Sequence, residues 1–473
     1  MISEKAWNDC LAGRQPRTFA SLEEWRDFLN EALGKAGAEP PDSSAWEQWL
    51  AELPCSAADP LAYSLYWQHC RKLLLGADRS SGMAVFVLKQ AEGRLVCVAG
   101  SANATAAASL SQQLQNLHER YPDEELVFDL VGLDYISSAG LRSFLKLLKT
   151  HKKIRLTDVS AAAYEVFNMT GMDNLIPTEK AMRRLSVRGC TKLSEGANGE
   201  VYRLGGDAII KVYKQNLSLE EIRAELDSAK AAFRMGLPTA LSFDIVRVGD
   251  RYGAVYEMLQ AKTIAELLNE QPEKLAEYAG KMVEIMKSIH AVSVTEDTPG
   301  MGDKQKDWML EYLRRDAPYL PENSTREIED WLKKMPDSDH VVHGDCHAKN
   351  LMADIAGDVF IIDMDSMGRG QPLFEFAALY ASYIGYLEVN GDTERQFSIT
   401  GIMSVAMEKQ LWDSLLHAYF PTEAERRSIE AQSALLAYLR IMSHYIKKHE
   451  QGAIETCQSL IAGLLPAWRE TVA

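Results

Sequence analysis

Three polar residues in the second half of the chain have the types and the order that phosphoryl transfer requires. Asp345 is followed five positions later by Asn350, and Asp363 lies at the exit of the apolar run 359–362. Phosphoryl transfer needs a carboxylate near the acceptor hydroxyl and oxygen ligands for magnesium. The buried run predicts that Asp363 and Asp365 lie together at its end, where a metal ion could neutralise them. Taken alone, Asp363 and Asp365 could also be ordinary loop carboxylates.

A glycine-containing segment and a lysine lie upstream and could bind the phosphates of a nucleotide. Gly196 and Gly199 belong to the segment 193–202, and glycines let backbone N–H groups approach phosphate without a Cβ in the way. A two-glycine hairpin turn would have the same sequence. Lys211 lies within the apolar strand 208–213, where a lysine costs desolvation energy unless an anion meets it. The strand therefore predicts an anionic partner for Lys211.

The periodicity of the next helix predicts which residue that partner is. Ser218 and Glu221 form a capping-box pattern, which starts a helix. Glu225 falls inside the apolar stripe of this helix, so an ion pair with Lys211 would orient the lysine. Glu220 and Glu221 lie off the stripe and are expected to be solvated acids that the helix dipole favours. The stripe consists of Ile222, Leu226, Ala229 and Phe233.

These features give residues 190–473 a resemblance to the aminoglycoside/choline phosphotransferase group. The most specific part of this resemblance is the His-Gly-Asp sequence of residues 343–345, which is followed by Asn350 and Asp363. The resemblance implies a bilobal, protein-kinase-like fold, with an N-lobe over 190–260 and a C-lobe over 263–473.

The resemblance also implies ATP and Mg²⁺ as cofactors and a role for each matched residue. Asp345 would be the catalytic base, and Asn350 and Asp363 would be the metal ligands. Lys211 would hold the α- and β-phosphates together with the glycine segment, and Glu225 would hold Lys211. Two departures from the group's pattern are Ser194 at the first loop glycine and Lys349 just before the metal-binding asparagine.

Two serines lie in the segment 129–142, where a predicted strand becomes a helix. A hydroxyl there can cap the helix, and exposed N–H groups at the same place favour a phosphate. Together with segment 156–159, this motif makes residues 83–184 resemble a STAS domain, the fold of anti-sigma-factor antagonists and sulfate-transporter tails. The resemblance implies that phosphorylation of Ser138 breaks binding to a partner protein. An aspartate often precedes that serine in the family, whereas this chain has Ser137.

The first 80 residues are predicted to form a helical segment that carries no chemistry. Five of the nine tryptophans lie there, and Ser21 with Glu24 forms a capping-box pattern. Residues 79–82 are typical of a linker. Strand and helix patterns alternate over 83–184, which indicates an α/β unit. The predicted fold class is therefore multidomain α/β and α+β, with a helical N-terminal segment, a STAS-like domain and a bilobal kinase-like domain.

The amino-acid composition limits which binding partners and which cellular location are expected for the protein. The chain has 473 residues, with 51 Lys and Arg against 67 Asp and Glu, a net charge of −16. Such a balance argues against a general affinity for nucleic acid or for anionic membranes. The start lacks a signal-peptide pattern, and no apolar run is long enough for a membrane span. The seven cysteines include no CxxC pair, so a reduced, cytoplasmic protein is expected.

Two functions remain open from the sequence. The first is an ATP- and Mg²⁺-dependent phosphotransferase that acts on a small-molecule hydroxyl or amine and is regulated or docked through its STAS domain. The second is a protein-interaction switch, similar to anti-sigma-factor antagonists, whose kinase-like domain only senses nucleotide. The intact set of Asp345, Asn350, Asp363 and Lys211 favours the first. The acidic balance of the chain would suit a cationic acceptor such as an amine.

Overall fold

The computed structural model shows a mixed α/β protein with two compact units. The predicted fold class is confirmed. The first unit comprises Met1–Cys190, Val212–Gln215 and Ile245–Gly253, and the second comprises Thr191–Lys211, Asn216–Asp244 and Ala254–Ala473. The structure describes residues 17–35, 43–53, 55–75, 83–89, 94–196, 198–295, 298, 304–391 and 403–472.

A seven-stranded sheet forms the centre of the first unit. Strands Met83–Lys89 and Arg94–Ala102 form an antiparallel pair, and the later strands join the sheet in parallel. Parallel strands need crossover connections, which helices Ala107–Arg120, Ser138–Thr150 and Ala161–Thr170 supply. In spatial order the strands are Thr18–Phe19, Met83–Lys89, Arg94–Ala102, Leu126–Asp129, Ile154–Val159 and Thr178–Lys180, while Leu133–Ile136 also pairs with Arg94–Ala102.

The side chains of the antiparallel pair alternate between two hydrophobic cores. Successive residues of a strand point to opposite faces of a sheet. Val85, Val87, Val96 and Val98 belong to the core that also contains the three crossover helices. Because the intervening residues are apolar as well, the other face must also be covered. Those intervening residues are Ala84, Phe86, Leu88, Leu95, Cys97 and Ala99.

The N-terminal helices cover this second face. Trp25 stacks on Phe86 with ring centroids 4.5 Å apart, and its indole Nε1 donates a hydrogen bond of 2.8 Å to the carbonyl oxygen of Tyr63. The predicted helical segment 1–80 therefore shares a core with the STAS-like sheet. The predicted linker 79–82 lies outside the described residues. The N-terminal helices are Leu22–Lys35, Ser43–Glu52 and Pro60–Leu75.

The serine segment contains one strand more than predicted, and one of its two serines caps the helix. A strand, Leu133–Ile136, occupies part of the expected turn and pairs with the central sheet. The hydroxyl of Ser137 accepts a hydrogen bond of 3.2 Å from the Gly140 N–H and caps the helix. The predicted capping hydroxyl is therefore that of Ser137, and Ser138 is the exposed first residue of the helix.

A second, five-stranded sheet carries the glycine segment and Lys211. The helix Leu219–Arg234 follows the strand of Lys211 along the chain and begins with the predicted capping box of Ser218 and Glu221. The predicted apolar stripe is wrong at Phe233, which is 51% exposed, because Ala231 and Ala232 face the core in the last turn. The strands are, in spatial order, Ser242–Val248, Arg251–Glu257, Ala208–Tyr213, Gly199–Leu204 and Lys192–Glu195.

The chain beyond Thr263 is mostly helical, as predicted. Short strands flank the residues Asp345, Asn350 and Asp363. Strand Val341–Val342 pairs with Gly368–Arg369, and strand Leu351–Asp354 lies between Ala261–Thr263 and Val359–Ile361. Within the described ranges, no helix is long and apolar enough to cross a membrane. The helices are Ile264–Glu270, Leu275–His290, Gln305–Asp316, Glu322–Lys334, Pro372–Tyr380, Tyr386–Asn390, Val405–Tyr419, Glu423–Lys448 and Gln451–Val472, with the π-helix Ala381–Gly385 between Pro372–Tyr380 and Tyr386–Asn390.

The close approach of the N-terminal helices to the sheet can be tested at Gly132. A Cβ on this residue would lie 2.6 Å from the Cβ of the buried Ser64 and 3.0 Å from that of Ala99. We expect Gly132→Ala to destabilise this contact by about 1–3 kcal/mol, the usual cost of overpacking. Hydrogen–deuterium exchange should then become faster in the helix Pro60–Leu75. The control is Gly34→Ala, since no atom lies within 4 Å of its added Cβ; equal exchange in both variants would contradict the packing argument.

Candidate active site

Asp345 and Asn350 lie in one tight loop between two short strands. The Asn350 Nδ2 donates hydrogen bonds of 2.9 Å to the Asp345 carbonyl oxygen and 3.2 Å to its carboxylate Oδ2. Asn350 is 8% exposed, and its backbone N–H donates to the His347 carbonyl at 2.8 Å. These bonds fix the Asp345 carboxylate and leave the Asn350 amide oxygen as the atom that could bind a cation.

Asp363 follows the strand Val359–Ile361 and has a left-handed backbone, with φ of 63°. A non-glycine residue in this region stores strain, which proteins retain mainly at functional sites. His343 contacts both this strand end and the loop that contains Asp345. Its Nδ1 accepts a hydrogen bond from the Asp345 N–H at 3.2 Å. Its Nε2 lies 3.2 Å from the Ile362 carbonyl oxygen, so it must carry the proton. The buried imidazole thus links the backbone of Asp345 to the backbone just before Asp363.

Lys211 contacts the partner that the helix periodicity predicts and one further carboxylate. Its Nζ lies 2.7 Å from Glu225 Oε1 and 3.1 Å from Asp363 Oδ1. The Tyr256 hydroxyl donates a further hydrogen bond of 3.3 Å to the same Glu225 oxygen. Burial lowers the pKa of Lys211, but Asp363 and Glu225 outweigh it and raise the pKa overall. Lys211 is therefore a fixed cation between the helix and the strand end.

Asp363 and Asp365 form a pair of carboxylates whose repulsion a cation would relieve. Burial and then the charge of Asp363 raise the pKa of Asp365 to about 6, although Lys211 opposes the shift. Among the described residues, no cluster of three or more His, Cys, Asp or Glu side chains could hold a metal by itself. Magnesium sites in phosphoryl-transfer proteins commonly use one or two carboxylates, waters and substrate phosphates. The oxygen-only set of Asn350, Asp363 and Asp365 fits such an ion.

The glycine segment forms the tip of a β-hairpin. The Gly196 N–H donates to the Gly199 carbonyl oxygen at 2.8 Å, and Lys192 closes the hairpin through ion pairs with Glu195 and Glu200. Gly196 is exposed, and a Cβ placed on it would have no neighbour within 4 Å. Within this hairpin segment, Ala197 lies outside the described residues. The hairpin alternative therefore holds as local structure, and it also leaves the backbone at Gly196 open to a ligand.

Glu375 is a residue that sequence reasoning missed. Its carboxylate has no exposed surface and accepts three backbone hydrogen bonds from the loop that carries Asp345, from the N–H groups of His343 at 2.7 Å, Gly344 at 3.1 Å and Cys346 at 2.9 Å. Burial raises its pKa, but contacts with His290 and His343 and the loop amides prevail and lower it to about 2. An acid in the otherwise apolar start of the helix Pro372–Tyr380 was the available signal.

Comparison with known families matches the two predicted regions separately. A family model described as "Phosphotransferase enzyme family" matches residues 189–396, and one described as "Mlab, STAS domain" matches residues 86–177. The two predicted family resemblances are thereby confirmed. The predicted boundaries 1–80, 83–184 and 190–473 stay predictions. No curated protein matches the chain in sequence.

Solved structures of aminoglycoside phosphotransferases are similar to part of the chain at low identity. The apo form of a thermostable mutant of aminoglycoside phosphotransferase APH(4)-Ia is 16% identical with a TM-score of 0.42, and the match covers 59% of this chain and 94% of that one. ADP-bound aminoglycoside phosphotransferase APH(2'')-Ib is 14% identical with a TM-score of 0.40, and the match covers 64% of this chain and 98% of that one.

The role of Glu375 in fixing the loop can be tested with Glu375→Gln. The amide of glutamine would replace one acceptor oxygen by a donor, so loop N–H groups would lose their partner. We expect the free energy of unfolding at neutral pH to fall by about 3 kcal/mol, which the shift from 4.5 to about 2 represents. Amide exchange of residues 343–346 should become faster. Urea denaturation and hydrogen exchange provide the two measurements.

The same variant gives a signed pH dependence. Because the pKa of Glu375 is lowered on folding, its contribution is complete above pH 4.5 and is lost as the pH falls toward about 2. The stability difference between wild type and Glu375→Gln should therefore shrink by about 1 kcal/mol between pH 7 and pH 3.5. Exposed Glu284, on the helix Leu275–His290, supplies the control Glu284→Gln. A difference that is constant with pH would contradict this role of Glu375.

Proposed function

We propose that this protein is an ATP- and Mg²⁺-dependent phosphotransferase that acts on a small-molecule hydroxyl or amine. The observation that carries the proposal is Lys211, whose Nζ contacts Glu225 and Asp363 at 2.7 and 3.1 Å. The residues expected to bind phosphate and those expected to bind metal therefore meet at one place. The match of residues 189–396 to a phosphotransferase family supports the same chemistry.

In this proposal each residue of the site has one task. The oxygen of a hydroxyl acceptor, or the nitrogen of an amine acceptor, attacks the γ-phosphorus, the bond from that phosphorus to the β,γ-bridging oxygen breaks, and ADP leaves with the electron pair. Asp345 accepts the acceptor proton, and Asn350 holds its carboxylate in place through the bond of 3.2 Å. Lys211 binds the α- and β-phosphates beside the hairpin of Gly196 and Gly199. Magnesium, held by Asn350 and Asp363, would offset the phosphate charge when bound.

Other assignments belong to the same proposal. The STAS-like unit would regulate or dock the enzyme, and the protein would act in the cytoplasm. The alternative, a protein-interaction switch with a nucleotide-sensing kinase-like unit, would need no catalytic base. The observation against it is that part-buried hydrogen bonds hold both the backbone N–H and the carboxylate of Asp345, because a nucleotide sensor has no use for an oriented carboxylate at the acceptor position.

The proposal predicts different effects for the two aspartates. Asp345→Asn should leave nucleotide binding nearly unchanged and lower turnover by about two to four decades, the usual cost of losing a general base. Asp363→Ala should abolish the Mg²⁺-dependent part of the thermal stabilisation by ATP. A thermal-shift assay with and without Mg²⁺ and an ADP-release assay over an acceptor panel measure these effects. Asp330→Asn, on the exposed side of the helix Glu322–Lys334, is the control.

Two results would contradict the kinase assignment. One is wild-type ADP release by both aspartate variants on an acceptor that the wild-type protein phosphorylates. The other is a thermal stabilisation by ATP that neither Mg²⁺ nor Asp363→Ala changes.

We further propose Ser138 as the regulatory phosphosite of the STAS-like unit. The observation in favour is that Ser137 caps the helix, so Ser138 is exposed and has no capping role. A phosphate adds about −1.5 to −2 charges, which the helix N-terminus tolerates, while an acidic or apolar partner would be repelled. Ser138→Asp should keep the thermal stability and lose the protein partner that both wild type and Ser138→Ala retain in pull-downs. Equal recovery from all three would contradict the switch.

A further inference from the structure

Arg440 reaches the catalytic loop from the long helix Glu423–Lys448. Its Nη1 donates a hydrogen bond of 3.2 Å to the carbonyl oxygen of Gly344, the residue before Asp345. The residue as a whole is partly exposed. Arg440 lies beyond the residues 189–396 that match the phosphotransferase family. The family match therefore assigns this arginine no role.

The charge of Arg440 acts on the acceptor side of the site. Burial lowers its pKa, but Asp345, the hydroxyls of Tyr312 and Tyr386, and Asp365 raise it overall. The arginine is thus a permanent cation beside the proposed base. Within the described part of the chain, Arg440 forms no ion pair with a carboxylate. One carbonyl oxygen uses only one of the donors of a guanidinium.

Two partly exposed tyrosines on other helices contribute to the raised pKa of this cation. Tyr312 belongs to the helix Gln305–Asp316, and Tyr386 begins the segment after the π-helix Ala381–Gly385. π-Helical turns occur often at functional sites, since they redirect the side chains that follow. A Cβ on Gly385 would lie 2.6 Å from Cδ1 of Ile441, the neighbour of Arg440. The glycine therefore permits the close helix contact that brings these residues together.

We propose that Arg440 binds an anionic group of the acceptor, so that the phosphorylated compound is a hydroxyl compound bearing a carboxylate or a phosphate. This proposal rests on the proposed phosphotransferase function and names its substrate class. A guanidinium presents parallel N–H groups that match two oxygens of such an anion. Tyr312 and Tyr386 would supply ring faces and hydroxyls for the carbon chain. An ammonium group at the same place would be repelled by Arg440, so the cationic acceptor that the overall charge favours is not expected.

The test uses four compounds that share one carbon chain and differ at one end. Gluconate carries a carboxylate, sorbitol is neutral and glucamine carries an amine; sorbitol 6-phosphate adds the phosphate form. Calorimetric titration of the full chain with Mg²⁺ and a non-hydrolysable ATP analogue should show at least tenfold tighter binding of an anionic probe. Arg440→Gln should remove about 10- to 100-fold of that affinity, the range for a lost charged hydrogen bond, and weaken sorbitol binding much less. Arg440→Lys should restore part of it.

A matched control is available on the same helix. Arg426 is also partly exposed and also donates to a backbone carbonyl, that of Phe420 at 2.8 Å. Arg426→Gln should leave the preference for anionic probes unchanged. The proposal would be overturned if sorbitol or glucamine bound as tightly as both anionic probes, if neither anion bound, or if Arg440→Gln weakened all probes equally. A purely structural arginine predicts the last result.

Binding and turnover separate this proposal from the function on which it rests. Anion binding that depends on Arg440, without ADP release on any acceptor, would retain the anion site and refute the phosphotransferase. ADP release with neutral or amino acceptors, and no preference for anions, would retain the phosphotransferase and refute the anion site.

Discussion

The carboxylate of Glu375 is the interaction on which the geometry of the site depends. It has no exposed surface and accepts hydrogen bonds from three backbone N–H groups of the loop that carries Asp345. A buried charge is tolerated only when several donors meet it. Any shift of the loop would cost these bonds together, so the loop has one stable conformation. The directions of the His343 ring and the Asp345 carboxylate follow from that conformation.

Two cations divide the negative charge of the site between them. Lys211 contacts Asp363, and Arg440 donates a hydrogen bond to the carbonyl oxygen of Gly344, the residue before Asp345. Three acidic side chains, Asp345, Asp363 and Asp365, would otherwise repel each other and any phosphate. The lysine belongs to the strand side and the arginine to the helical side, so nucleotide and acceptor would each meet a positive group of their own. This division is independent of the net charge of −16 of the whole chain.

The site was predictable where residues follow a local rule and unpredictable where they depend on distant backbone. Spacing alone indicated Asp345, Asn350 and Asp363, and helical periodicity indicated Glu225 as the partner of Lys211. Glu375 and Arg440 could not be predicted in this way, because their hydrogen-bond partners are backbone groups of a loop that is remote in sequence. The α/β unit over 83–184 followed from alternating patterns, and the bilobal kinase-like part of the fold class was implied by the family resemblance. The exposure of Phe233 and the strand Leu133–Ile136 did not, since the neighbouring surface decides both.

The two-faced sheet of the first unit imposes an order on how the chain folds during synthesis. The helix Leu22–Lys35 can form early from local bonds, but Trp25 finds Phe86 only after the strand Met83–Lys89 has left the ribosome. The parallel pairing of Thr18 with Val87 must wait for the same moment. Until then Trp25 and the apolar side chains around it lack the strand against which they pack. The growing chain therefore passes through a stage at which chaperones would recognise it.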